Sequence, residues 1–249
     1  MSIKALLLII VIAAASVFIY LKIMSLGDPN SNFNQTTRYS LGKKPWVRTV
    51  LSLHNDGDAR GEYFCTNCGP LVIEWFKPQT EEVNKNILEQ FAKSVTEYTG
   101  RQAQAIEGGP VGDSILSKSN LSSLTVKKFA QKIPNASILY IFFVEDYKPR
   151  DAQELSTTYG ESAMLVSLNA HRAFLKNYPS QLDIYLFSTL LHEFGHEIGL
   201  QHNNDSSCVM YAHAGIGGQP MEVYSHETPT DFCPAEQNQI NQLRVQYNH

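Results

Sequence analysis

One segment restricts the fold more than any other: His192-Glu193-Phe194-Gly195-His196-Glu197-Ile198-Gly199-Leu200-Gln201-His202. It completes a stripe in which Leu182, Leu186, Leu190, Phe194 and Ile198 recur every fourth residue, with Phe187 and Leu191 beside them. That is the period of a helix with one face on a core. Ser180, with Asp183 three residues on, is a capping pattern for its start. His192 and His196 stand one helical turn apart, so both rings leave the same face toward a shared point. Glu193 is rotated about 100° from the first of them, beside that point rather than on it. Gly199 can take the left-handed conformation that ends a helix, which lets the chain turn back and bring His202 to a third position. Three neutral imidazoles around Zn²⁺ leave one tetrahedral corner for water, and Glu193 is where a general base would stand. With 8 His and 15 Gly in 249 residues, the matched positions would coincide by chance in about three per hundred thousand chains of this composition.

The amino terminus imposes a different constraint. Ala5 to Leu21 is an apolar run of about 17 residues, interrupted by Ser16 and Tyr20 and flanked by Lys4 and Lys22. That is the lower limit for crossing a hydrocarbon layer of roughly 30 Å, with the lysines able to reach the headgroups. An uncleaved signal anchor is the first reading. A cleaved signal peptide is the second; its small-residue exit should follow the apolar run, whereas Ala13-Ala14-Ala15-Ser16 lies inside it. Residues 1–24 are therefore expected as the targeting segment and 25–45, rich in Asn, Ser, Thr, Gly and Pro, as a flexible tether. Residues 46–249 are expected as one exported domain, held at the membrane or secreted if the segment is cleaved. A net charge of −4 argues against nucleic acid as a partner.

Within that domain the patterning mixes strands and helices, which indicates an α/β or α+β layered fold. Trp46–Leu53, Leu71–Phe76, Ile138–Val144 and Ala163–Leu168 read as strands, Ile138–Val144 buried on both faces. Thr80 is placed to cap a helix with Val83, Ile87, Leu88, Phe91, Val95 and Tyr98 inside and Gly100 at its end. A weaker helix spans Leu121 to Ile133. Glu197 is expected as a solvated carboxylate or one behind the metal ligands. His171, His213 and His226 lack paired spacing and are expected at the surface or in secondary contacts.

The histidine segment resembles that of the metzincin clan of zinc metallopeptidases, in which it is followed by a methionine turn. Cys208-Val209-Met210-Tyr211 lies where that turn belongs, with Met210 as the hydrophobic floor beneath the metal. Cys208 two residues before Met210, and Ala163-Met164-Leu165-Val166-Ser167-Leu168 followed by Arg172, resemble archaemetzincins first; the Met210-Tyr211 pair resembles matrixins second. The resemblance implies a twisted mixed sheet, an active-site helix, a Met-turn and a C-terminal helix opened by Pro234, with Ile240 and Leu243 facing inward. It also implies hydrolysis of peptide bonds by a zinc-bound water, with Glu193 as general base and His192, His196 and His202 as ligands. Ala163–Leu168 is then the strand edge for an extended peptide or protein substrate, and the loop through Gly217-Gly218 to Tyr224 walls the pocket. A non-catalytic zinc domain binding a partner at the membrane surface is the competing class.

The chain departs from archaemetzincins in its cysteines. Asn203 stands where that family has a cysteine after the third histidine, its closing cysteine pair is reduced to Cys233, and Cys65 and Cys68 form an extra pair upstream. Two readings follow. Cys65, Cys68, Cys208 and Cys233 hold a second, structural zinc; or Cys208 and Cys233 form a disulfide, reasonable in an exported domain, with Cys65 and Cys68 a second pair or free thiols.

Overall fold

The computed structural model describes residues 3–25, 33, 37, 41, 47, 63–65, 69–111, 115–117, 136–148, 155–159, 162–211 and 228–247. In chain order these hold α1 (Ile3–Ser25), β1 (Leu71–Pro78), α2 (Lys85–Thr99), β2 (Ala103–Val111), β3 (Ile115–Ser117) and β4 (Ser137–Val144). There follow β5 (Asp146–Lys148), β6 (Ser156–Tyr159), β7 (Ala163–Ser167), α3 (Leu168–Phe174), α4 (Leu182–Ile198) and α5 (Pro234–Tyr247). The expected strand Trp46–Leu53, apart from Val47, and the helix Leu121–Ile133 lie outside the described residues.

Five strands form one mixed sheet in the order β2-β1-β4-β7-β6. Every neighbouring pair is parallel except β6 and β7. β4 is central, and all eight of its residues are buried, as a parallel strand covered on both faces requires. Alternation sorts the side chains. Leu139, Ile141 and Phe143 of β4 join Leu71, Ile73 and Trp75 of β1 and Met164 and Val166 of β7 beneath α2 and α4. Ile138, Tyr140, Phe142 and Val144 join Val72, Phe76, Ala163 and Leu165 on the opposite face, with Leu116 and Tyr147 of the small β3–β5 sheet.

α2 carries its buried residues where the periodicity places them: Ile87, Leu88, Phe91, Ala92 and Val95. Its start is not at Thr80, because Glu81 is drawn into a bidentate ion pair with Arg172 of α3. Asn84 caps instead, its Oδ1 accepting from the Asn86 backbone N–H at 3.1 Å. α4 likewise begins without the Ser180–Asp183 cap: Pro179–Gln181 is a 3₁₀ turn, and Asp183 accepts from Asn84 Nδ2 at 2.7 Å. The two helix starts are thus tied to each other rather than capped independently. Phe194 of α4 meets Phe91 of α2 edge-on, ring centroids 6.0 Å apart, and Ile240 of α5 enters the same core.

α1 is the one helix among the described residues long and apolar enough to cross a membrane, with 21 residues from Lys4 to Met24 at a mean hydropathy of 2.7. At 1.5 Å per residue that is about 31 Å, the thickness of a hydrocarbon layer.

Because β4 is sealed on both faces, shaving it should be costly. Ile141→Ala is expected to lower stability by about 2–5 kcal/mol in urea unfolding of the domain. Val245→Ala, at a side chain 81% exposed on α5, should stay within about 0.5 kcal/mol.

Candidate metal centre

The site is assembled at the C-terminal end of α4. Gly199 ends the helix at φ 102°, a left-handed conformation that a side chain would strain. The Gly199 N–H donates to His196 O at 3.0 Å and the Leu200 N–H to Gly195 O at 2.8 Å, the double closure that reverses a chain after a helix. His202 is thereby returned to the helix end. The Nε2 atoms of His192, His196 and His202 lie 3.1, 3.2 and 3.0 Å from one another.

Those separations fit a metal. Tetrahedral ligands 2.0–2.1 Å from zinc stand about 3.3 Å apart. The tautomers fit as well: His192 Nδ1 donates to Val209 O at 2.8 Å and His196 Nδ1 to Leu200 O at 3.2 Å. A carbonyl can only accept, so each proton sits on Nδ1 and each Nε2 presents a lone pair. Lone pairs facing each other at 3.2 Å repel unless a cation lies between them. Burial pushes the His196 pKa below the usual imidazole value, and the neighbouring His202 lowers it further, against the opposing hydrogen bond to Leu200.

Glu193 is almost wholly buried beside the cluster. Its Oε1 accepts from Ser156 Oγ at 2.5 Å. Glu197 is also buried, 2% exposed, so the solvated carboxylate expected there is corrected. Leu186, Leu190, Glu193 and Glu197 run along one side of α4 at spacings of four, three and four, and all are buried. His171 is corrected too. It is fully buried, with Nδ1 on Ser167 O at 2.7 Å and Nε2 on Thr189 Oγ1 at 3.0 Å. His213 and His226, and the loop through Gly217-Gly218 to Tyr224, lie outside the described residues.

Met210 packs under the helix, fully buried. A Cβ built on Gly195 would stand 2.2 Å from its Sδ, so the glycine inside the histidine motif is there for close approach. The turn carrying Met210 is held on three sides. Val209 O takes the His192 proton; Met210 O accepts from the Asn203 N–H at 2.9 Å; and Glu236 Oε1 accepts from the Met210 N–H at 2.8 Å and from Asn203 Nδ2 at 2.7 Å. Glu236 Oε2 also accepts from the Cys233 N–H at 3.0 Å, closing the first turn of α5 as a capping glutamate does. Sequence reasoning missed Glu236, although a Glu two residues after the helix-opening Pro234 is a helix-start signal.

Cys208 and Cys233 are joined by a disulfide, and Cys65 is also disulfide-bonded. This corrects the four-cysteine zinc site expected of Cys65, Cys68, Cys208 and Cys233: a tetrathiolate needs the sulfurs reduced and separate. Cys68 itself lies outside the described residues. The 25-residue separation makes the bridge worth about 3.5 kcal/mol by loop-closure entropy. A second correction concerns the substrate-facing edge. Ala163–Ser167 is paired on both sides, with β4 and with β6, and among the described residues the sheet ends at Ser156–Tyr159.

The close fit of Gly195 against Met210 predicts that Gly195→Ala forces the methionine from beneath the ligands. The expected cost is about 1–3 kcal/mol, with weaker zinc retention, read by thermal unfolding and metal analysis.

Comparison with known proteins finds similar solved structures and one family model. Two solved structures are similar. One is archaemetzincin from Methanopyrus kandleri, at 15% identity over 70% of this chain and 95% of that one, with a TM-score of 0.48. The other is a zinc-dependent peptidase from Methanocorpusculum labreanum, at 16% identity over 68% and 100%, with a TM-score of 0.46. No curated protein matches significantly. The matrixin family model matches residues 117–243, a span running from β3 to α5 that contains the histidine cluster, Glu193 and Met210. The chain belongs to the matrixin family, within the metzincin clan, and is a zinc metallopeptidase.

Proposed function

We propose that His192, His196 and His202 bind one catalytic zinc ion and that Glu193 is the general base of peptide-bond hydrolysis. The observation that carries this reading is the convergence of three Nε2 atoms, two of them presenting lone pairs, at the end of the helix that carries a buried carboxylate. When bound, the ion supplies an acidified water and polarises the scissile carbonyl. Glu193 takes the proton of the attacking water, holds it in a site screened from solvent, and passes it to the departing amine. Val209 O and Leu200 O keep two imidazoles in the required tautomer through the cycle. Ser156–Tyr159, the last strand of the sheet among the described residues, is the edge to which an extended peptide or protein adds by backbone hydrogen bonds.

Residues 1–24 are proposed as a membrane anchor or signal sequence, 25–45 as a tether and 46–249 as the catalytic domain on the far side of the membrane. The length of α1 supports this assignment. So do the cysteines: among those described none is free, as in proteins of an oxidising compartment. With Cys208 and Cys233 bonded to each other, a single zinc per chain is the reading that follows.

Glu193→Ala should retain about one zinc per chain while turnover of a peptide library falls at least about 100-fold; His202→Ala should lose both. A Glu193→Ala variant of wild-type turnover would reject the assigned base. The pH dependence has a definite sign. An imidazole whose folded pKa is lowered is protonated first in the unfolded chain, whose histidines titrate near about 6.5. Stability and zinc retention are therefore full above that pH and fall as pH drops through the lowered folded value. Metal content and Tm followed from pH 8 to 5 check it.

A further inference from the structure

We propose that Ser156 is a positioning residue that aims the Glu193 carboxylate for proton transfer, an inference that rests on the role given to Glu193 above. The placement follows from strand register. Ser156 pairs with Val166 and Thr158 with Met164 across the antiparallel β6–β7 ladder. Val166 and Met164 belong to the core layer shared with Leu186 and Leu190. Directly opposed residues share a face, so Ser156 and Thr158 are on the α4 side of the sheet, and Thr157, opposite Leu165, on the other. From there Ser156 Oγ donates to Glu193 Oε1 at 2.5 Å, the short range of a hydrogen bond to a charged oxygen.

The geometry has a chemical purpose. A glutamate side chain turns about three bonds, and one anchored oxygen leaves the other with a defined direction. A hydroxyl anchors it without a countercharge that would neutralise the base. Glu193 is buried and Ser156 half-buried, so bulk water competes weakly for the bond. Ser156 also stands on the sheet's edge strand. A peptide adding to that edge lies against the strand that orients the base, so docking and proton transfer share one support.

The test compares Ser156→Ala, Ser156→Cys and Ser156→Thr with Glu193→Ala in the zinc-loaded full chain. Ser156→Ala is expected to lower kcat about tenfold to a hundredfold, with KM within about twofold and zinc content and Tm unchanged. Ser156→Thr, which keeps the hydroxyl, should restore most of kcat, and the weaker thiol donor of Ser156→Cys should fall between. A peptide hydroxamate, whose hydroxyl would share the Glu193 carboxylate, should bind the alanine variant more weakly in parallel. Wild-type kcat and hydroxamate affinity in Ser156→Ala would overturn the proposal, as would equal losses in Ser156→Thr or losses tracked by zinc content or Tm. Turnover surviving in Glu193→Ala would overturn instead the base assignment on which the proposal stands, which separates the two failures.

Discussion

Electron-pair repulsion between imidazoles is the constraint around which the rest of the molecule is arranged. Two of the three converging nitrogens carry no proton, because their rings donate from the opposite side to Val209 and Leu200. A flexible peptide would relieve such crowding by rotating the rings apart. Here rotation is blocked: His192 is tied to the Met-turn, His196 to the residue that follows the helix end, and both are borne on a helix whose other sides are packed. Hydrogen bonds on the far side of the rings thus preorganise the nitrogens for the metal proposed to bind there.

Those hydrogen bonds depend in turn on long-range packing. Glu236 is the joint between the two halves of the support. One carboxylate satisfies backbone N–H groups of the Met-turn and of the first turn of α5, and the side chain of Asn203. All lie around the turn that holds His192, yet they are drawn from positions up to 33 residues apart in sequence. Charged acceptors make the stronger hydrogen bonds, and burial keeps water from competing for this one. Core packing against β4 and β7 and the edge-on contact of Phe194 with Phe91 of α2 then hold α4 in place, so the site rides on rigid elements.

How much of this was legible follows from the range of the interactions. The convergence of the three histidines and the helix stop at Gly199 were legible because helix geometry acts within a single turn and the stop signal is local. Ser137–Val144 and Ala163–Ser167 were legible because strands buried on both faces are apolar throughout. β2 and β6 were not, since edge strands are half exposed and Ala103–Val111 or Ser156–Tyr159 carries no apolar alternation to read. Misassigning the edge to Ala163–Leu168 came from the same cause. The helix starts slipped because Asp183, a plausible cap partner by spacing, and Glu81, next to the expected cap Thr80, are used across the fold by Asn84 and Arg172. His171 and Glu197 were taken for ordinary surface or supporting groups; their burial depends on neighbours distant in sequence. The cysteines carried two readings because pairing is a matter of space, not spacing.

The Cys208–Cys233 bridge has a topological consequence for an enzyme that cuts chains. It closes residues 209–232 into a covalent ring that begins beside Met210 and ends at the first turn of α5. A single nick anywhere in that ring, by a neighbouring copy or another protease, opens the ring without dividing the molecule. The final helix, with Glu236 still gripping the turn that carries Met210, stays attached, so a cut in the intervening chain is uncoupled from loss of that support.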